Sequence, residues 1–197
     1  RLLSNREAEG QILGGIAHLQ REYGQLDDCL KSANASLAIA REVGDRSTVS
    51  TALGKLGLLF YERGHHSDAL LHYEEGLQVA REIGHETHEG VSLCNIALLH
   101  LSQGRFQAAE LHFREAIRIA RRIENRRNEG ICLGNLALIY RSQGEHKEAK
   151  AHYQKALKVA REIGNRRSEG VNLGNLGDLL LEQEHLNPAE SCLRDAI

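Results

Sequence analysis

Apolar residues come in bursts of helical spacing along this chain, separated by short polar breaks that contain glycine. Leu133, Leu136, Ala137 and Tyr140 fall at i, i+3, i+4 and i+7. After Gln143 and Gly144, the residues Ala149, Tyr153, Ala156, Leu157 and Ala160 repeat that rhythm. A turn of 3.6 residues brings such positions onto one face, so each burst predicts an amphipathic helix. Gly64, Gly104 and Gly144 sit where a first helix must turn into a second. Gly44, Gly84 and Gly164 follow the second helix and are placed to end it. Arg41, Arg81, Arg121 and Arg161 lie in its last turn, where positive charge suits the helix dipole. The single proline, Pro188, follows Asn187 as expected in a helix's first turn.

The pattern recurs every 40 residues without insertion: the stretch beginning REIGHETHEG at residue 81 returns as RRIENRRNEG at 121 and REIGNRRSEG at 161. A fixed period in this range marks stacked supersecondary units, none of which can bury its apolar stripe alone. The expected fold is therefore all-α, a right-handed α-solenoid of tandem helix-turn-helix repeats. It forms a single superhelical domain over residues 1–197, with repeats at about 3–44, 45–84, 85–124, 125–164 and 165–197. The first copy is worn, with Gln20 where Phe60 and Tyr140 stand later and Ser36 where Ala116 and Ala156 stand. In the fifth, Glu184 replaces the turn glycine. The chain starts at Arg1, contains no methionine and stops inside a predicted helix, and so reads as a piece of a longer protein.

At particular positions the repeat resembles the tetratricopeptide family. The pattern L-x2-L-(G/A)-x2-Y followed by A-x3-F appears as Leu53, Leu56, Gly57, Phe60, Ala69 and Tyr73. It returns as Leu133, Leu136, Ala137, Tyr140, Ala149 and Tyr153, and again as Leu173, Leu176, Gly177, Leu180, Ala189 and Leu193. The family's tryptophan is leucine throughout and its closing proline is absent. The 40-residue length resembles the repeats of Partner-of-Inscuteable scaffolds, and the Asn-Leu-Ala core is similar to kinesin light chain. The resemblance implies a protein-binding solenoid whose first helices line the concave surface.

Composition narrows the function further. A net charge of -2 and an isoelectric point near 6.6 leave no basic stripe for nucleic acid. No apolar run approaches a membrane span and no signal-peptide pattern opens the chain. Cys29, Cys94, Cys132 and Cys192 lack CxxC or metal spacing, which predicts free thiols in a reducing, cytoplasmic setting.

Projecting the fourth repeat's first helix at about 100° per residue puts Arg127, Ile131, Gly134, Leu138 and Ser142 opposite the packed side. Asn135 and Arg141 flank them. Two recurrences stand out on that face. Glycine interrupts the helix at Gly14, Gly54, Gly134 and Gly174, at roughly 1 kcal/mol each against alanine. It serves either close packing between repeats or the approach of a ligand backbone. Asn95, Asn135 and Asn175 form an asparagine ladder, whose amides suit the main chain of an extended peptide or else a local hydrogen bond. Kinesin light chain repeats use asparagine at the matching place for peptides, and the resemblance implies the same here. Lys55 and Gly15 break the ladder in the early repeats, so the best groove is expected in repeats three to five. Arg126, Arg127, Arg166 and Arg167 crowd the starts of the fourth and fifth first helices, with Arg141 nearby. They read either as solvated helix ends or, for Arg127, Arg141 and Arg167, as a site for an acidic or carboxylate-bearing partner, tempered by Asp178 and Glu182. Glu9, Glu89, Glu129 and Glu169 are placed to serve the dipole of the first turn.

No catalytic or metal site is expected. His72, His112 and His152 share one repeat position, and equivalent points on neighbouring repeats lie on the order of 10 Å apart, too far to share one ion. His85 and His88 are one residue too close for HExxH, and there is no phosphate loop or nucleophile elbow. The expected function is a non-enzymatic, cofactor-free module binding an extended peptide or partner segment in its concave groove. Its predicted site residues are Asn95, Asn135, Asn175, Arg127, Arg141, Arg167, Gly134, Gly174 and Leu138. The alternatives are a regulatory arm fused to a kinase, ATPase or DNA-binding domain with intramolecular contacts only, and a scaffold that associates with its own copies.

Overall fold

The computed structural model describes residues 2–183 and 186–196. Its elements are α-helices joined by tight turns: α1 (Leu2–Glu22), α2 (Leu26–Val43), α3 (Arg46–Glu62), α4 (His66–Glu82) and α5 (Glu86–Ser102). They continue as α6 (Phe106–Arg122), α7 (Arg126–Ser142), α8 (His146–Glu162), α9 (Arg166–Glu182) and α10 (Leu186–Asp195). The Glu184 that breaks the turn pattern lies outside the described residues. No strand occurs among the described residues, and the fold is an all-α repeat solenoid. Nor is any helix of the described residues long and apolar enough to cross a membrane.

Local chemistry sets the boundaries. Asp45, Asn125 and Asn165 cap α3, α7 and α9, their side-chain oxygens accepting from the backbone N–H of Thr48, Asn128 and Ser168 at 3.0, 3.1 and 3.1 Å. The turn glycines adopt the left-handed conformation, Gly44 at φ 75° and Gly164 at φ 65°. At the equivalent place before α7 the chain has Glu124, held at φ 56°. A side chain there costs roughly 1–2 kcal/mol, which the surrounding repeats must offset.

The chain forms two compact units, one ending at Leu99 and the other beginning at His100. Within the first, α1 packs on α2, α3 on α4, and α2 on α3. Leu53, Leu56 and Leu59 are fully buried. They share one cluster with Cys29, Ala33, Leu37 and Ala40 of α2. Tyr73 lies so close over Gly57 that an added Cβ would stand 2.5 Å from its ring. That contact is why the repeat keeps glycine or alanine at this position. In the second unit α6 packs on α7, α7 on α8, α8 on α9 and α9 on α10, with α7 and α9 also touching. Ala149, Tyr153, Ala156 and Ile139 are fully buried there.

Ion pairs repeat with the frame. A last-turn arginine reaches the first-turn glutamate of the next helix in Arg81–Glu89, Arg121–Glu129 and Arg161–Glu169, at 2.9, 2.7 and 2.8 Å. Glu89, Glu129 and Glu169, placed to serve the dipole, thus also tie successive helices together. A second type joins successive first helices: Arg21 to Glu62 at 2.9 Å, and Arg141 to Glu182 at 2.6 Å.

Candidate binding groove between α7 and α9

The packing of α7 beside α9 leaves a groove of about 320 Å³ in the second unit. Its α7 wall is Arg127, Ile131, Gly134, Asn135 and Leu138; its α9 wall includes Arg167, Val171, Asn172 and Asn175. Six of the nine sequence-predicted residues, Arg127, Arg167, Gly134, Leu138, Asn135 and Asn175, therefore meet here. The volume lies at the lower end of the range for small-molecule sites.

The arginines divide sharply. Arg126 is bound by Glu129 and Glu162, and Arg166 by Glu169 at 3.3 Å. Arg127 and Arg167, one residue further on, are exposed and make no ion pair among the described residues. The helix periodicity explains the split: a step of 100° turns one arginine toward the neighbouring helix end and the next toward the groove. Arg141 falls with the engaged group. Its Nε and a terminal guanidinium nitrogen donate to Glu182 at 3.1 and 2.6 Å, and Asp178 stands 3.8 Å away. That hydrogen bond holds the Glu182 carboxyl below its ordinary range and raises the guanidinium. The tempering carboxylates expected from sequence have taken Arg141 out of the groove lining.

The amides are half-buried rather than turned into the helix-pair core. Asn135 donates one N–H to the Ile131 carbonyl at 2.9 Å, a local bond within α7. Its oxygen and second N–H remain for the groove. Asn175 makes no side-chain hydrogen bond among the described residues and lines the opposite wall. Beneath them lies Asn172, which sequence reasoning missed. It is buried at 6% exposure and donates to the Ser168 carbonyl at 2.7 Å. The signal was present: Asn172 interrupts an apolar stripe at the position occupied by Ala52 and Cys132.

The interior glycines serve different ends. A Cβ on Gly134 would meet the Asn172 side-chain oxygen at 2.7 Å, so this glycine makes room for a neighbouring repeat. Gly54 and Gly174 face open space, and Gly174 does not line the groove. Four residues earlier, Gly10 and Gly130 are packing glycines, their Cβ positions 3.1 and 3.0 Å from Ile39 and Val159.

Asn95 sits elsewhere, in a groove of about 240 Å³ between α3 and α5 of the first unit. Ser50, Thr51, Gly54, Lys55, Leu58, His88 and Val91 share it. Lys55 donates to the Gly14 carbonyl at 2.6 Å, and burial pulls its pKa down. The histidines at the shared second-helix position pack on first-helix rings, His72 on Phe60 at 5.1 Å and His152 on Tyr140 at 5.0 Å between centroids. Burial lowers the pKa of both.

Solved structures share this architecture at low identity. BtubC from P. vanneervenii superposes with a TM-score of 0.81 at 19% identity, over 98% of this chain and 86% of its own. A signal transduction ATPase with numerous domains carrying a tetratricopeptide repeat sensor, from Pyrococcus horikoshii, gives 0.80 at 18%, over 96% of this chain but 30% of its own. Aspartyl phosphate phosphatase F from Bacillus subtilis gives 0.80 at 12%, over 97% of this chain and 59% of its own. No curated protein matches the sequence significantly. The tetratricopeptide repeat family model matches residues 9–82, 72–122 and 129–197, and the chain belongs to that family.

Proposed function

We propose that this protein-interaction module takes an extended, acidic peptide segment in the groove between α7 and α9. Tetratricopeptide repeats bind protein partners, which gives the class of ligand. The observation that carries the finer reading is the pair Arg127 and Arg167, two groove-lining guanidiniums that the chain's own carboxylates leave unengaged while their neighbours Arg126 and Arg166 are tied down. A carboxylate of the partner completes them with charge-assisted hydrogen bonds. Asn135 and Asn175 face each other as a donor-and-acceptor track for main chain. Ile131, Leu138 and Val171 supply apolar contact between those polar ends.

Binding of a panel of extended acidic peptides by fluorescence anisotropy tests the reading. The double substitution Asn135→Ala with Asn175→Ala weakens the best binder by about tenfold or more, from two hydrogen bonds of roughly 0.5–1.5 kcal/mol each. Thermal stability stays near the parent, because neither amide holds two helices together. Undiminished affinity in that variant, or equal affinity for acidic and basic peptides, overturns the proposal.

A further inference from the structure

The first helix carries an apolar stripe that none of the described residues covers. Ile12, Ile16, Leu19 and Tyr23 are 62%, 40%, 57% and 79% exposed, on one face at spacings of four, three and four. In the 40-residue frame the first three coincide with Ala52, Leu56 and Leu59 of α3, which are 2%, 0% and 0% exposed. They also coincide with Cys132, Leu136 and Ile139 of α7, and two of them with Leu176 and Leu179 of α9, all buried. In each of those repeats the second helix of the preceding hairpin packs on the face: α2 on α3, α6 on α7, α8 on α9. The stripe on α1 therefore has the composition of an internal repeat interface and lacks its other half. Gly15, exposed within the stripe with nothing inside 4 Å, leaves room for a close approach.

A second observation comes from the residues before the stripe. Arg1, Leu3, Asn5 and Arg6 align with Arg161, Ile163, Asn165 and Arg166, the end of one second helix and the capped start of the next first helix. In sequence Asn5 holds the position at which Asp45, Asn125 and Asn165 cap their helices, whereas in the structure α1 runs through it from Leu2.

We infer that the exposed face of α1 docks the second helix of a further tetratricopeptide hairpin preceding it in the same polypeptide, built like α8 with a small-and-aliphatic face. The geometry required is the one α8 already has over α9. This inference does not rest on the groove reading, since the stripe lies on α1 and not on α7 or α9.

The test compares the 197-residue chain with one in which residues 125–164 are fused ahead of Asn5, so that Gly164-Asn5-Arg6 reproduces the natural junction Gly164-Asn165-Arg166. The substitution Ile16→Glu is placed in both. Thermal melts are expected to show the extended chain melting higher than the parent. Ile16→Glu should lower the extended chain's midpoint by about 5 °C or more, because it buries an unpaired charge, and move the parent by less than about 2 °C. A second extension made from residues 45–84 keeps the result readable if the first fails to fold. Equal shifts in both backgrounds, or no gain from either extension, overturn the inference. So does a parent chain that sediments as a dimer and is made monomeric by Ile16→Glu, since the face then belongs to a second copy.

Discussion

The groove of the first unit and that of the second are built on the same repeat positions yet have different chemistry. Gly54, Lys55 and Leu58 of α3 correspond to Gly134, Asn135 and Leu138 of α7. Val91 and Asn95 on the facing α5 correspond to Val171 and Asn175 on α9. The scaffold is constant, and among the positions that differ, which also include Thr51 for Ile131 and Ser92 for Asn172, three change the charge or amide chemistry most. Where Arg127 and Arg167 stand, the first unit has Ser47 and Thr87, and Lys55 replaces the amide of Asn135. The remaining cation is already used, since Lys55 bonds the Gly14 carbonyl and burial lowers its pKa. Burial of the same apolar positions fixes the fold in both units, while the polar side chains give each groove its own chemistry.

The comparison breaks most visibly at the arginines. Replacing Arg127 and Arg167 by Glu converts two attractions into repulsions, so affinity for an acidic peptide should fall by about 100-fold or more, from roughly 1.5–3 kcal/mol per charged hydrogen bond. Lys55→Met should change the same affinity by less than about threefold, in keeping with the modest value of an engaged, screened charge. Anisotropy titrations at two salt concentrations measure both; a comparable loss in Lys55→Met would place the ligand in the first unit instead.

A smaller effect distinguishes the walls themselves. Gly54 and Gly134 occupy one repeat position, but only Gly134 has a neighbour in the way. Gly54→Ala should therefore stabilise the chain by up to about 1 kcal/mol through helix propensity. Gly134→Ala must push aside the buried Asn172 amide and should give no gain or a loss. Urea melts of the two variants should diverge in sign.

Much of this was legible from periodicity. The 40-residue frame fixed the order of the helices and placed Arg127, Gly134, Asn135 and Leu138 on one open face, because helical projection needs only spacing. What spacing could not supply is whose side chain answers whose. Arg127 and Arg141 look alike in sequence, and only the reach of Glu182 from the next first helix separates them. Asn172 was hidden because a buried amide inside an apolar stripe has the position of a core residue. Glu124 in the left-handed turn follows the frame but not the residue preference, so sequence alone marked the turn at Gly44 and Gly164 and passed over its copy before α7.

The finest distinction concerns Arg141, whose role as a structural rung or a ligand contact separates two accounts of the second groove. Its partner contact with Glu182 recurs in the first unit as Arg21 with Glu62, at the same repeat positions, which favours the rung. Both pairs are solvent-accessible, so a double-mutant cycle on Arg141→Ala and Glu182→Ala should give a coupling of only about 0.2–1 kcal/mol. Its pH dependence has a definite sign. Arg141 lowers the folded-state pKa of Glu182, so the contribution is present above the ordinary glutamate value of about 4.3 and is lost as pH falls through the lower folded value. The difference in melting temperature between the parent and Arg141→Ala should therefore be constant at neutral pH and vanish in acid below that window. Peptide affinity decides the rest: a rung predicts less than about a twofold change in Arg141→Ala, whereas a direct charged contact predicts about tenfold or more. A tenfold loss, with a coupling to Glu182 of zero, would return Arg141 to the groove.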